Sequence, residues 1–447
     1  MVTKRTQELL KTDSKYVFHH FGVVGADIEI IWEKGKGVKI WDTEGKEYID
    51  VCSAQSDCVN LGYGRKEIID AAIEQMNRIP YASTMPPFSN VAMIECAEKL
   101  AKITPENINH FFFTSGGSEA VETGFKIAKK YWNFKGKADK YKIICLANCY
   151  HGSLLFTGSL TWEWPMREKL GPEVPFIVRI PPYTCYRCPF GLKYPDCGIQ
   201  CAKFLETAIE QEGEFSVAAF IAEPEQGVGG YMSPPPEYFP MVAKICKDHN
   251  VLLILDEVMS GFCRTGKMLA LEHWNLKPDI LLMSKGINSA YVPFGAVGVS
   301  DEVYKPFKGN MFLHGMTQVG NPVGCATSSA AIDVYIKEKV AENAARVGKH
   351  VKERFQKEFL PLPHVGDVGG LGLMLSLEIV ADKTTKARFG AEKMYEIRGQ
   401  LLDKGVYARV TSSIYGDRLH FGPPMIITEA EADKAVDLIY SVLKDIK

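Results

Sequence analysis

Two residues with ionisable side chains stand where apolar runs end. In VLLILDEV, Asp256 closes the five apolar residues Val251 to Leu255. A carboxylate there is costly to bury unless it meets a cation or a hydrogen-bond donor. In DILLMSKG, Lys285 ends a second apolar run and is followed at once by Gly286. Either this lysine reaches water from a strand end, or it is kept dry for its amine. A desolvated lysine has a lowered pKa and becomes a nucleophile and a base. In TSGGSEAVE, Gly116 and Gly117 turn the chain and Ser118 opens a helical pattern. Bare backbone amides at a helix start attract an anion such as phosphate. Ser118 is expected to cap that helix and to bond a phosphate oxygen. Alone, the junction reads equally well as structural.

Other candidates follow strands in the same way. Tyr150 and His151 come after YKIICLA, Tyr150 as a flat partner for a ring and His151 more as a satisfied structural histidine. Glu223 ends FIAE before a proline and a glycine turn. Val258, two residues past Asp256, returns to the same side and can pack on a ring. Thr317, in a polar loop before a helix, is a second phosphate contact. Cys185, Cys188, Cys197 and Cys201 form a cluster that reads as free thiols or as a structural zinc site, and no metal is assigned to it.

These residues need elements to hold them. The near-continuous apolar runs YKIICLA, FSVAAFIAEP, VLLILDEV, PDILLMS and FGAVGVS, separated by helical segments, predict strands covered on both faces. Ligands in such α/β sheets sit beyond the C-terminal strand ends. GVKIWDTEGKEYID predicts a hairpin turning at Asp42 to Gly45. One long helical stretch is expected from near Asn321 to about Phe355. The layout predicts a large α/β domain over residues 69–325, and a smaller α+β domain built from residues 1–68 and 326–447.

Composition narrows the function. Hydrophobic residues make up 46% and charged residues 24%, as in globular proteins. The formal net charge of −2 gives no basic excess for nucleic acid and no polybasic segment for a membrane surface. The polar N-terminus and the lack of a long apolar run predict neither export nor a membrane span. Twelve cysteines in that context predict free thiols and a cytoplasmic protein.

In order and spacing, TSGGSEAVE, YHG, AEPEQG, LDEVMSGFCRTG, SKG and TQVGNPVGCA resemble the class III aminotransferases, with likeness running from IWDTEGKEYIDVCS to FGPPMIIT. The resemblance implies fold type I, a mostly parallel central sheet in the large domain and pyridoxal 5′-phosphate as cofactor. It implies that Lys285 forms the Schiff base with that cofactor and then moves a proton. Asp256 is implied to hold the pyridine nitrogen, Val258 and Tyr150 to sandwich the ring, and Gly117 and Ser118 to hold the phosphate. Thr317 is implied to reach the phosphate from a second subunit, so a homodimer or a dimer of dimers is expected. Glu223 is expected near the cofactor hydroxyl.

Members that use 2-oxoglutarate carry a glutamate–arginine gate, and the matching positions here are Val228 and His420. The chain resembles instead the ω-amino acid:pyruvate branch, which implies an arginine for the α-carboxylate. Arg409 is the candidate and Arg418 the runner-up, the latter read equally as a surface residue. Phe21, Tyr81 and Trp162 are expected to line the substrate pocket. The function expected is transfer of an amino group from an ω-amine or ω-amino acid to pyruvate, with amine and keto-acid substrates. The alternatives on the same machinery are an amino-acid racemase or epimerase, and an amino-alcohol phosphate phospholyase. Cys263 stands where the family has glycine.

Overall fold

The computed structural model describes residues 2–161 and 167–446. Fifteen strands, numbered in chain order, form three sheets among these residues. The central sheet contains β4 (Ile108–Thr114), β5 (Lys142–Leu146), β6 (Ile177–Ile180), β7 (Val217–Ala222), β8 (Leu252–Asp256), β9 (Ile280–Met283) and β10 (Gly295–Ser300). Their spatial order is β4-β10-β9-β8-β7-β5-β6. All neighbours run parallel except β10, which is antiparallel to both β4 and β9. Every residue of β7, β8 and β9 is buried, as continuous apolar runs between two helical layers require.

A second sheet joins the chain ends. Strands β1 (Trp32–Lys36), β2 (Lys39–Asp42) and β3 (Glu47–Asp50) form a meander, and β13 (Val406–Tyr407) adds parallel to β3. The expected turn between β2 and β3 is held by Asp42 Oδ1, which accepts from the amides of Glu44 and Lys46 at 2.9 Å each. A third, antiparallel sheet has the order β11-β12-β15-β14, from β11 (Val365–Leu371), β12 (Met374–Ile379), β14 (Arg409–Ser413) and β15 (Gly416–Phe421). The protein is thus α/β with a large parallel-rich sheet and a smaller antiparallel sheet.

Two local expectations change. The helical stretch after Asn321 is two helices, Pro322–Lys337 and Val340–Arg354, separated where Lys339 takes a left-handed backbone, φ 51°. Cys263 has φ 73° beside Phe262 at 54°, in a buried turn closed by the Cys263 amide on Met268 O at 3.0 Å. Glycine adopts that backbone without strain, which explains why it suits the position. Among the described residues no helix is long and apolar enough to cross a membrane.

Candidate active site

Because β4, β5, β7, β8 and β9 all point the same way, their C-terminal ends meet on one edge. A cavity of about 150 Å³ opens there. Gly117 and Ser118 reach it from the end of β4, Tyr150 and His151 from β5, Glu223 from β7, Asp256 and Val258 from β8, and Lys285 from β9. Seven of the residues singled out in the sequence therefore share one cavity with His151.

Lys285 follows β9 with φ 46°. It is half-buried by surface because it lines the cavity, yet protein packs closely around it. Desolvation is the chief cause that pushes its pKa down; Arg409 adds to this, while Asp57, Cys58 and Asp256 oppose it. The lysine is kept dry, not sent to water.

Asp256 Oδ2 accepts from His151 Nδ1 at 2.7 Å, and its Oδ1 accepts the Val258 amide at 3.0 Å. Burial pushes the His151 pKa down, but the hydrogen bond and charge of Asp256, with Glu223 behind, outweigh it and raise the value. The bond from His151 fixes the orientation of the Asp256 carboxyl group. Glu223 accepts the amides of Tyr150 at 2.9 Å and Gly227 at 2.8 Å, tying two cavity-lining loops together. Burial raises its carboxyl to about 7 in spite of these bonds.

The helix Gly117–Phe134 begins at the cavity without a side-chain cap. Ser118 does not cap it, contrary to expectation. It already lies within the first turn, and its Oγ accepts the Ser153 amide at 3.3 Å. The first helical amides are therefore left for an anion. A Cβ on Gly117 would lie 2.9 Å from Val258 Cγ1, so this wall must be bare backbone.

A second cavity, about 480 Å³, shares Lys285, Tyr150, Val228 and Met259 with the first and extends to Phe21, Arg398 and Arg409. Arg409 opens β14, and its Nη1 lies 3.2 Å from Asp57 Oδ2. Arg398 is half-buried over the Tyr395 ring, 4.9 Å from its centroid. Arg418 is not a surface residue: its side chain is 3% exposed and donates to Glu378 Oε2 at 2.5 Å, with Arg187 on the other carboxylate oxygen. That buried pairing removes it as a substrate ligand. His420 lines neither cavity; it shares a 2.8 Å hydrogen bond with Thr411 Oγ1. Burial, then Arg409 and Arg418, hold its pKa far below the usual histidine value. It is neutral and offers no second cation.

Two candidates, Tyr81 and Thr317, lie elsewhere. Tyr81 is 46% exposed on the loop after the helix Lys66–Arg78 and lines neither cavity, because that loop runs along the outer surface. Thr317 is exposed and reaches neither cavity of its own chain. Trp162 lies outside the described residues. Cys185, Cys188, Cys197 and Cys201 line one small cavity as free thiols. Among the described residues no group of three or more His, Cys, Asp or Glu is arranged to hold a metal ion. Asp57 and Arg398 carry no local signal in the sequence. Asp57 meets Arg409 only across the fold, and Arg398 reads as one charge on a solvated helix face.

The family model for class-III aminotransferases matches residues 22–443. The chain is 35% identical over 408 residues to a putrescine–pyruvate aminotransferase of Pseudomonas aeruginosa, covering 91% of this chain and 88% of the relative. It is 33% identical over 438 residues to a taurine–pyruvate aminotransferase of Bilophila wadsworthia, covering 96% and 95%. The crystal structure of a thermostable (S)-enantioselective omega-transaminase from Thermomicrobium roseum superposes with a TM-score of 0.94 at 35% identity, covering 100% of this chain and 99% of that one.

Proposed function

The chain belongs to the class-III aminotransferases, pyridoxal-phosphate enzymes of fold type I, and from this we propose that it moves an amino group from an ω-amine or ω-amino acid to pyruvate. The observation that carries the acceptor is the Arg409 guanidinium, sharing a cavity with Lys285 while His420 is sealed away and neutral. One arginine fork matches one α-carboxylate. The pyruvate-using relatives support the same choice.

The donor set fits pyridoxal phosphate. An uncapped helix start with Ser118 suits a dianion, Tyr150 and Val258 offer faces for a ring, and Asp256 offers a carboxylate held by His151. When bound, the cofactor supplies an electron sink for the negative charge left on the substrate carbon. Asp256 would hold the pyridine nitrogen, and Gly117 and Ser118 the phosphate. Lys285 Nζ is the base: burial lowers its pKa, which favours taking the proton from the donor carbon and returning one during the acceptor half-reaction. Glu223 keeps Tyr150 in place through its amide. Arg409 holds the keto-acid carboxylate and withdraws for a carboxylate-free amine.

Thr317 serves a partner's phosphate in this reading, and the surface around it supports self-association. Ile73, Met76, Ile94 and Leu313 are 54%, 51%, 59% and 88% exposed. The loop between the helices Lys66–Arg78 and Val91–Ile103, which carry the first three, is joined to the loop of Leu313 and Thr317 by Asn90 Nδ2 on Gly320 O at 2.9 Å and Thr84 Oγ1 on Val319 O at 3.0 Å. An apolar face of this kind marks a protein interface.

A panel of amines and ω-amino acids with pyruvate and 2-oxoglutarate tests the proposal through alanine and glutamate formation. Formation of neither product with any donor would refute it. Arg398 beside Arg409 favours a second reading, elimination from an amino-alcohol phosphate, which phosphate release would reveal.

A further inference from the structure

Asp57 has no accessible side-chain surface and lines neither cavity, although its neighbours Gln55 and Ser56 line the larger one. Its Oδ1 accepts the Tyr231 hydroxyl and its Oδ2 the Arg409 guanidinium at 3.2 Å. The carboxylate is wedged: a Cβ on Gly422 would lie 2.7 Å from both Asp57 Oδ1 and the Tyr231 hydroxyl. It has no room to follow a moving partner.

The backbone that delivers it is strained. Ser53, Ala54, Gln55 and Asp57 have φ of 40°, 61°, 59° and 53°, all left-handed and none of them glycine. Bonds from several directions hold this segment. Asp50 accepts the amides of Cys52 at 2.9 Å and Ala54 at 2.8 Å, Ser53 Oγ donates to Gly422 O at 2.8 Å, and Arg264 Nη2 donates to Ser53 Oγ at 2.9 Å. Strain kept up by so many contacts concentrates at ligand clamps.

The Arg409 contact itself is loose. It is one end-on bond through Nη1, with the side chain 15% exposed. A bidentate carboxylate offers the guanidinium more than this single bond. Tyr231 stays on Asp57 if Arg409 leaves, so the buried carboxylate keeps a donor.

We propose that Asp57 is a positioning residue that parks the Arg409 guanidinium, so that a keto acid binds by drawing Arg409 off Asp57 and a carboxylate-free amine enters a pocket whose charge is already neutralised. The inference rests on the reading of Arg409 as the acceptor clamp. Its consequence is a set point for substrate exchange: Asp57 weakens acceptor binding in order to keep the pocket open to amines.

Steady-state kinetics of holoenzyme variants test this. Asp57→Asn keeps the shape and removes the charge. It should lower KM for pyruvate about fivefold to tenfold and raise KM for a simple amine donor, leaving KM for a carboxylate-free aldehyde acceptor unchanged. Tyr231→Phe provides an independent arm should the Asn variant not fold. It frees Oδ1 for Arg409, so the pyruvate KM should rise. A pyruvate KM that fails to fall in Asp57→Asn, or that shifts in step with the aldehyde KM, overturns the parking role; so does a fall in Tyr231→Phe. Arg409→Ala separates this from the reading beneath it. If it leaves the pyruvate KM untouched, the clamp itself is wrong and the inference falls with it. If it raises that KM while Asp57→Asn has no effect, only the parking role is lost.

Discussion

His151 Nδ1 donates to Asp256 Oδ2 across 2.7 Å, and both side chains are buried. The segment after β5 thus meets the end of β8 across the intervening β7, in a buried contact where a charge-assisted bond is strong. His151→Phe removes the donor and leaves Asp256 free to turn. Turnover should fall roughly tenfold to a hundredfold, as expected for losing a hydrogen bond to a charged group. Unchanged kcat in stopped assays with saturating cofactor would show that Asp256 needs no such support.

Lys285 should be the residue that carries the cofactor. Borohydride treatment of the protein with pyridoxal phosphate should leave a stable phosphopyridoxyl group on its Nζ, located by peptide mass mapping. Lys285→Ala should abolish turnover. A label on another lysine would displace the assignment.

Acceptor choice follows from Arg409 and the sealed His420. Pyruvate should exceed 2-oxoglutarate by roughly tenfold or more in kcat/KM, because a second carboxylate finds only the half-buried Arg398, where pairing is screened. Equal values for the two acceptors would refute this reading of the pocket.

Ile73→Glu places a charge at an exposed apolar side chain of the helix Lys66–Arg78. Sedimentation should show a monomer with native circular dichroism and little activity. A fully active monomer would remove Thr317 from the partner's site.

Buried Glu225 sets a pH dependence of stability. Burial raises its carboxyl from 4.5 to about 8, with Ser233 Oγ on Oε1 at 2.9 Å opposing this. Between those values the folded protein keeps a proton that the unfolded chain has lost, so stability falls as pH rises. Urea midpoints should decline from about pH 5 to about pH 8, and less steeply in Glu225→Gln. Identical slopes would exclude Glu225 as a source.

What the sequence discloses follows a physical divide. Lys285, Asp256 and Glu223 are legible because each is a charged residue where an apolar run ends, and parallel strands align those ends. Bonds between distant segments leave no local trace. The Asp57–Arg409 contact, the burial of Arg418 on Glu378 and the isolation of His420 all depend on how β14 and β15 dock. Cys263 shows a subtler case: its left-handed backbone is set by the turn, and the residue type does not announce it.

The pairing of β13 with β3 has a temporal consequence. The Val51 amide bonds Tyr407 O at 3.0 Å, so the strand leading to Asp57 finds its last partner only when residue 407 has been made. The central sheet, with Asp256 and Lys285 at its edge, lies wholly within residues 108–300 and precedes that event along the chain. Such long-range closure is slow. During synthesis on the ribosome, the lysine end of the cavity is complete in sequence well before Asp57 and Arg409 can face one another, and a nascent chain halted between those points has its reactive amine without its means of choosing a partner for it.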